Sequence, residues 1–517
     1  MSSDRRAAGA RRPMGRRLLA PLVLIVVTAV AAYVMHLVAQ HTIEVVRARR
    51  LLPRWDLATH LGHGWLDYHL LVTGQIHRVV WDVWLQGYWP PGLSIYQVPF
   101  YLVLGGEMTS GLWSSPVAFV LVAATGAAVL LRQWSGGGLL ATSLFVSLLI
   151  SSPFLLAYAS VTMTEMLGAL AQLLVLFCYL AWRQRPSARH ARLLAVSLTV
   201  LFFVKYNYFV LLVAPLVLHE WLERTSGSTP ARRLASLWGY TRRILSSPTG
   251  LFVLLYLAGL LLIMSTGGFQ FQLLGQRVSV RSIGNSGHVV LYILLLRLWY
   301  LHRRGRIDWQ RLTSADARIR PLLRWFILPV ALWLASPYPN HIRDFANLVI
   351  NRPLGQPTVG SGMVTYVDAL RTAYFYNEWM LAVVAAAFGV AAVRYRAQPP
   401  LMQWLILAIP LQLAAISLHQ TRFPRFLLPT VVLLCLAAAS EVGRWFAGSI
   451  AARVTAGLLA PIVVASGVIA ARHVVTDERF TSLAFEHYTD SESLRVALDR
   501  IRGELSAGDR LLIVGQS

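Results

Sequence analysis

The chain has 517 residues, of which 56% are hydrophobic and only 14% charged, against roughly 25% charged in an average soluble domain, so an ordinary soluble globular protein is excluded. The 47 basic and 23 acidic residues give a formal charge of +24, which in a soluble protein would suggest nucleic acid; in a chain this apolar the basic residues must first be placed relative to a bilayer. Lys205 is the only lysine and follows Val204 rather than glycine, so no Walker A loop exists. A Gly-x-Gly-x-x-Gly turn after a strand-like run and an Asp-x-Asp pair are also missing, which argues against nucleotide-fuelled chemistry. Cys178 and Cys435 both lie in apolar runs and read as small core residues without a disulfide framework.

In chain order, a basic N-terminus (1–17, with Arg5, Arg6, Arg11, Arg12, Arg16 and Arg17) precedes an apolar stretch at 18–40 that is long enough to cross a bilayer. Its length and flanks predict an uncleaved anchor running from inside to outside. Further apolar runs near 112–132, 138–157, 164–182, 191–204, 206–221, 250–266, 288–302, 321–337, 378–394, 400–417, 425–440 and 455–472 follow. Arginine clusters at 183–192, 224–243 and 303–320, and Arg394 with Arg396, mark cytoplasmic ends. The expectation is an all-α polytopic membrane protein of about thirteen spans, with the N-terminus cytoplasmic and the C-terminus extracytoplasmic. The run at 91–104 breaks this parity and is predicted to be a juxtamembrane or re-entrant helix. The first outer loop is then 41–111, a length more often functional than passive.

The outer loop 336–378 is rich in Tyr, Asn and Arg and could line an entrance or form an aromatic belt. The tail 473–517 differs in kind, with a helical pattern at 491–505 and a strand-like run at 511–514 that suggest the start of a small α/β unit. The organisation expected is therefore a basic N-terminus, a catalytic transmembrane module at 18–221, a variable transmembrane module at 222–472, and the tail.

Four places carry candidate chemistry. On a helix from Trp55, Asp56, His60, His63 and Asp67 follow i, i+4, i+7 and i+11, while Leu57, Leu61 and Trp65 share the opposite stripe. The polar face either meets only water and Arg54, or presents Asp56 as a general base; His60 and His63 with a carboxylate offer a weak metal-binding spacing. Glu165 stands alone between two apolar runs, where it either caps a helix N-terminus or faces a cavity. Lys205 lies at the outer turn of a tight hairpin, as a point charge in a chain that otherwise uses arginine, or as a residue snorkelling to headgroups. Arg422 and Arg425 precede another span; two guanidiniums and an ammonium at one membrane face would suit a phosphate.

Taken together, these residues resemble the GT-C group of polyprenyl-phosphosugar-dependent glycosyltransferases, which includes the protein O-mannosyltransferases and the aminoarabinose transferase of lipid A. The resemblance covers roughly 18–221, with an echo at 422–429. Asp56 sits where that group has its catalytic acid, and Tyr88-Trp89-Pro90-Pro91-Gly92 looks like its proline-containing entry to an interfacial helix. Glu165 looks like its second outer acid, Lys205 like its hairpin base, and Arg425-Phe426-Leu427-Leu428-Pro429 like its late Arg-aromatic-Leu-Leu-Pro pattern. Two departures stand out: Leu57 replaces a common second acid, and Glu165 a common aspartate.

The resemblance implies transfer of a sugar from a polyprenyl phosphate to an acceptor hydroxyl on a glycan, lipid or protein at the outer face of a bacterial plasma membrane, with inversion. It implies Asp56 as base and Glu165 as a second catalytic-site acid that positions the acceptor or sugar or helps hold a metal, with Lys205, Arg422, Arg425, His60, Tyr88 and Trp89 as substrate-binding residues. No cofactor is required by it, although a divalent metal is an option. The rival readings are a transporter or flippase of a lipid-linked or anionic substrate, and a non-catalytic scaffold. On this topology most of the positive excess is cytoplasmic, which turns the apparent nucleic-acid signature into the positive-inside rule.

Overall fold

The computed structural model describes residues 14–133, 138–224, 239, 247–266, 269–273, 276–280, 287–304, 319–350, 359–417 and 422–490. The helix expected at 491–505 and the strand at 511–514 lie outside the described residues. The principal helices are α1 (Met14–Ala48), α2 (Trp55–Val72), α3 (Ile76–Leu85), α4 (Gly92–Leu104), α5 (Ser114–Gln133), α6 (Gly138–Ile150), α7 (Pro153–Ser160), α8 (Thr164–Gln184), α9 (Ala188–Val204) and α10 (Tyr206–Arg224). They continue as α11 (Pro248–Thr266), α12 (Gly287–Arg303), α13 (Leu328–Leu334), α14 (His341–Ile350), α15 (Val359–Ala369), α16 (Glu378–Val393), α17 (Pro400–Ser417), α18 (Leu428–Phe446), α19 (Ile450–His473) and α20 (Glu478–Phe485). Two small antiparallel ribbons accompany them: β1 (Leu51–Pro53) pairs with β4 (Tyr488–Asp490), and β2 (Phe269–Leu273) with β3 (Gln276–Val280).

Among the described residues six helical segments are long and apolar enough to cross a membrane, or seven if one bent pair counts as a single span. The chain is thus a multi-pass helical membrane protein. The bent pair falls on the run expected at 138–157: α6 and α7 meet at 69°. Pro153 has no N–H to continue the helix, and Ser152 caps the new one by accepting from the Leu155 amide at 3.2 Å.

Two helices form the centre. Every residue of α18 from Leu428 to Gly443 is buried, and so are most of α8; a helix apolar all round is stable only inside such a bundle. α18 packs on α6, α8, α16 and α19, and α8 on α5 and α9, so a single apolar core joins helices before and after residue 221. Glu165 lies in the first turn of α8, and Arg425 in the 3-10 turn Pro424–Leu427 that leads into α18.

Beside these N-termini, α2 lies against α4, with Tyr101 donating to the Leu61 carbonyl at 3.2 Å. The helix expected at 91–104 is α4, and Gly92 explains its entry: a Cβ there would come within 2.6 Å of the Phe203 carbonyl oxygen and 2.9 Å of the Val204 Cα. Only glycine lets α4 start against the backbone that delivers Lys205.

The expected split of α2 into an apolar and a water-facing stripe is corrected. Leu57, His60, Leu61, Gly64, Asp67 and Leu70 are the buried positions, whereas Trp65 is exposed and donates to the Gly106 carbonyl at 2.9 Å. The buried stripe takes in two ionisable residues because α3, α4 and the site surround α2 on more than one side.

Candidate functional site

Four charges from distant parts of the chain meet at one cavity of about 230 Å³. Glu165 is placed by α8, which starts directly after the extended Met163. Lys205 is the single extended residue between α9 and α10, so the hairpin turns on it and its side chain points inward. Arg425 is fixed through its backbone, since Tyr208 donates to its carbonyl at 3.3 Å and Tyr374 to that of Pro424 at 2.8 Å. Asp56 stands one residue into α2, after the Arg54-Trp55 turn. Trp55 there has φ +52°, a left-handed conformation costing roughly 1–2 kcal/mol in a non-glycine residue.

The pairings are specific. Lys205 Nζ lies 2.6 Å from Glu165 Oε1, Arg425 Nη2 2.8 Å from Asp56 Oδ2, and Arg425 Nε 3.7 Å from Glu165 Oε1. Arg425 thus bridges the two acids. Aromatic faces confine the cations: Lys205 Nζ is 4.8 Å from the Tyr208 ring centre, and the Arg425 guanidinium 4.8 Å from that of Phe423. The Glu165 side chain is 2% exposed and that of Asp56 24%, so the first is locked in place while the second faces the opening.

His60, Tyr88 and Trp89 line the same cavity, with the His60 ring edge-on to Trp89 at 5.1 Å and Trp89 edge-on to Tyr88 at 4.9 Å. Burial pulls the His60 pKa down to about 4 against the opposing pull of Asp56 and Glu165, so the imidazole is neutral at pH 7. Burial, followed by the Asp56 charge, raises that of Tyr88. Arg422 is not among the residues lining the cavity and instead lies near Tyr366 of α15.

His60 and His63 do not converge as a metal pair would need. His63 turns away to Asp82, with Nδ1 at 3.2 Å from Oδ2, and no group of three or more His, Cys, Asp or Glu suited to a metal occurs among the described residues. Asn207 was missed from the sequence. It lines the cavity, and its buried Oδ1 has no hydrogen-bond partner among the described residues. Its place two residues after Lys205 was the available signal.

A second polar cluster sits behind α2. Asp82 of α3 accepts from Gln86 Nε2 at 2.7 Å as well as meeting His63, and against the cost of burial these bonds hold its pKa low. Asp67, 1% exposed, is raised from 3.8 to about 6 by burial, and by the Asp82 charge after that. Between those values the folded state keeps a proton on Asp67 that the unfolded chain releases, so the contribution of Asp67 to stability falls as pH rises from about 4 to about 6. Asp67→Asn should remove this contribution, so the melting temperature of the variant relative to the wild type, measured in detergent, should rise as pH goes from about 4 to about 6.

No protein-family model matches the chain, and no curated protein does. Two solved structures of ArnT from Cupriavidus metallidurans are similar to it. The one bound to undecaprenyl phosphate has 13% identity and a TM-score of 0.47, with 92% of this chain and 78% of that chain covered. The apo structure has 16% identity and a TM-score of 0.30, with 82% and 78% covered.

Proposed function

We propose that this chain is an integral membrane glycosyltransferase that moves a sugar from a polyprenyl phosphate to an acceptor hydroxyl at the extracytoplasmic face, with inversion at the anomeric carbon. The observation that carries this reading is the gathering of Asp56, Glu165, Lys205 and Arg425, two acids and two bases, at a single cavity. Charges in a bilayer-embedded protein are costly and concentrate where function needs them. These four are also the residues that carry the sequence resemblance. In this reading the chain crosses the membrane thirteen times, and the catalytic module at 18–221 is completed by Arg425 from the second module.

The two acids and two cations of the site balance in charge. An arriving lipid phosphate competes for Lys205 and Arg425, and the acid it displaces is Asp56, the more exposed of the two. Freed from Arg425, the Asp56 carboxylate takes the proton of the acceptor hydroxyl. The oxygen attacks the anomeric carbon opposite the phosphate, the bond to the phosphate oxygen breaks, and its electron pair leaves with the lipid phosphate. Lys205 and Arg425 stabilise that growing charge, and Glu165 holds both cations in place. Neutral His60, with Tyr88 and Trp89, offers an uncharged wall for the sugar.

Purified protein in proteoliposomes, supplied with a radiolabelled polyprenyl-phosphosugar and bacterial envelope acceptors, should transfer label covalently. Movement of the labelled lipid between leaflets without transfer would replace the enzyme with a flippase.

A further inference from the structure

The turn that presents Asp56 is not held by its own residues alone. Trp55 is 62% exposed, so burial of the indole does not stabilise the left-handed turn, and Arg54 caps α2 without a side-chain bond to the helix. Further bonds come from the segment at 486–490. Strand β4 pairs with β1 in the register Leu51↔Asp490, Leu52↔Thr489 and Pro53↔Tyr488. The Arg54 amide donates to the His487 carbonyl at 2.9 Å, and the Arg54 guanidinium donates twice to the Glu486 carbonyl, at 2.9 and 2.5 Å. The same guanidinium lies 4.0 Å from the Trp55 ring centre, whose edge faces His487 at 6.4 Å.

A two-stranded ribbon is marginal alone, but this one is anchored. Phe480 of α20 and Tyr488 are buried in the core, and Glu486 Oε1 accepts from Tyr158 of α7 at 2.9 Å. Tyr158 stacks on Phe154, Phe154 on Tyr374, and Tyr374 bonds the carbonyl of Pro424, the residue before Arg425. One chain of contacts therefore runs from the tail to both members of the Asp56–Arg425 pair.

We propose that the segment Glu486–Asp490 is a clamp that positions the Asp56 carboxylate, with Arg54, Glu486 and Tyr158 as positioning residues. Its catalytic consequence rests on the role given to Asp56 above; its structural content does not.

The test uses full-length protein in detergent or proteoliposomes. Arg54→Ala, which removes the guanidinium bonds, and Tyr158→Phe, which cuts the bond from α7 to Glu486 and leaves the Glu486 carboxylate only its 2.9 Å contact with His487 Nε2, should each speed hydrogen exchange at the Ala58–His60 amides. The same variants should lower kcat, at least tenfold for Arg54→Ala, with KM for the donor within twofold. A Leu52→Cys/Thr489→Cys pair, at directly opposed positions, should restore kcat to Arg54→Ala when oxidised and lose it again on reduction. Unchanged exchange in both variants, or faster exchange with unchanged kcat, overturns the clamp. A wild type that transfers no sugar would instead remove the glycosyltransferase reading, and the exchange rates would still decide whether the tail holds the turn.

Discussion

Replacing Asp56 by Asn should lower kcat by at least about 100-fold, the contribution of a positioned general base, while the protein stays folded. The substitution keeps the shape at the α2 N-terminus and removes only the ability to take a proton. It also releases Arg425, which is 2.8 Å from Asp56 Oδ2. A free guanidinium should bind a polyprenyl phosphate at least as well as one already paired, so the KM for the donor should fall or hold steady. Loss of kcat with retained donor affinity is thus the signature expected of the base. Turnover within threefold of wild type in single-turnover assays would remove Asp56 from the proton transfer. An equal rise in KM would instead make it a binding residue.

The second large effect is on stability. Lys205→Met leaves the Glu165 carboxylate, 2% exposed, with Arg425 Nε at 3.7 Å as its nearest remaining cation. Removing one partner of a buried ion pair typically costs 3–5 kcal/mol, because the other charge stays desolvated. The variant should therefore show a strongly lowered melting temperature in detergent and low abundance in membranes. Adding Glu165→Gln should recover most of that stability, since the doubly changed pair carries no uncompensated charge. Activity should not return, because the cation that faces the leaving phosphate is still missing. A double variant as unstable as Lys205→Met alone would show that the pair's charge does not govern the fold here.

Much of the candidate site was legible because charge is rare in this chain. Glu165 and Lys205 stood out as isolated ionisable residues at the ends of apolar runs, where an unpaired charge is costly. Asp56 stood out by its place at the start of a long loop, and Arg425 by its proline-flanked aromatic surroundings. The helix at 91–104 followed from its length and the Pro90-Pro91-Gly92 entry, and the structure adds why glycine closes that entry: there is no room for a Cβ beside Phe203 and Val204.

What sequence reasoning did not reach were relations across long separations. Asp56 and Arg425 are 369 positions apart, and nothing local pairs them. Arg422 shares a short motif with Arg425 yet does not line the cavity and lies near Tyr366 instead. His63 has the spacing to join His60, but α3 brings Asp82 against it first. The bend between α6 and α7 was foreshadowed by Ser152-Pro153, and was hidden by apolar residues on both sides.

The sequence by itself determined that this is a multi-pass helical membrane protein with few charges in its apolar segments, because burial of apolar surface and the cost of unpaired charge act on every local window of the chain. Only the tertiary structure decided which charges neutralise one another, that two buried helices begin at the same cavity with Glu165 and Arg425 at their N-terminal ends, and that the strand at Tyr488–Asp490 ties down the turn before Asp56. Those outcomes depend on packing and hydrogen bonds between segments 40 to 432 residues apart, whose geometry no local pattern encodes.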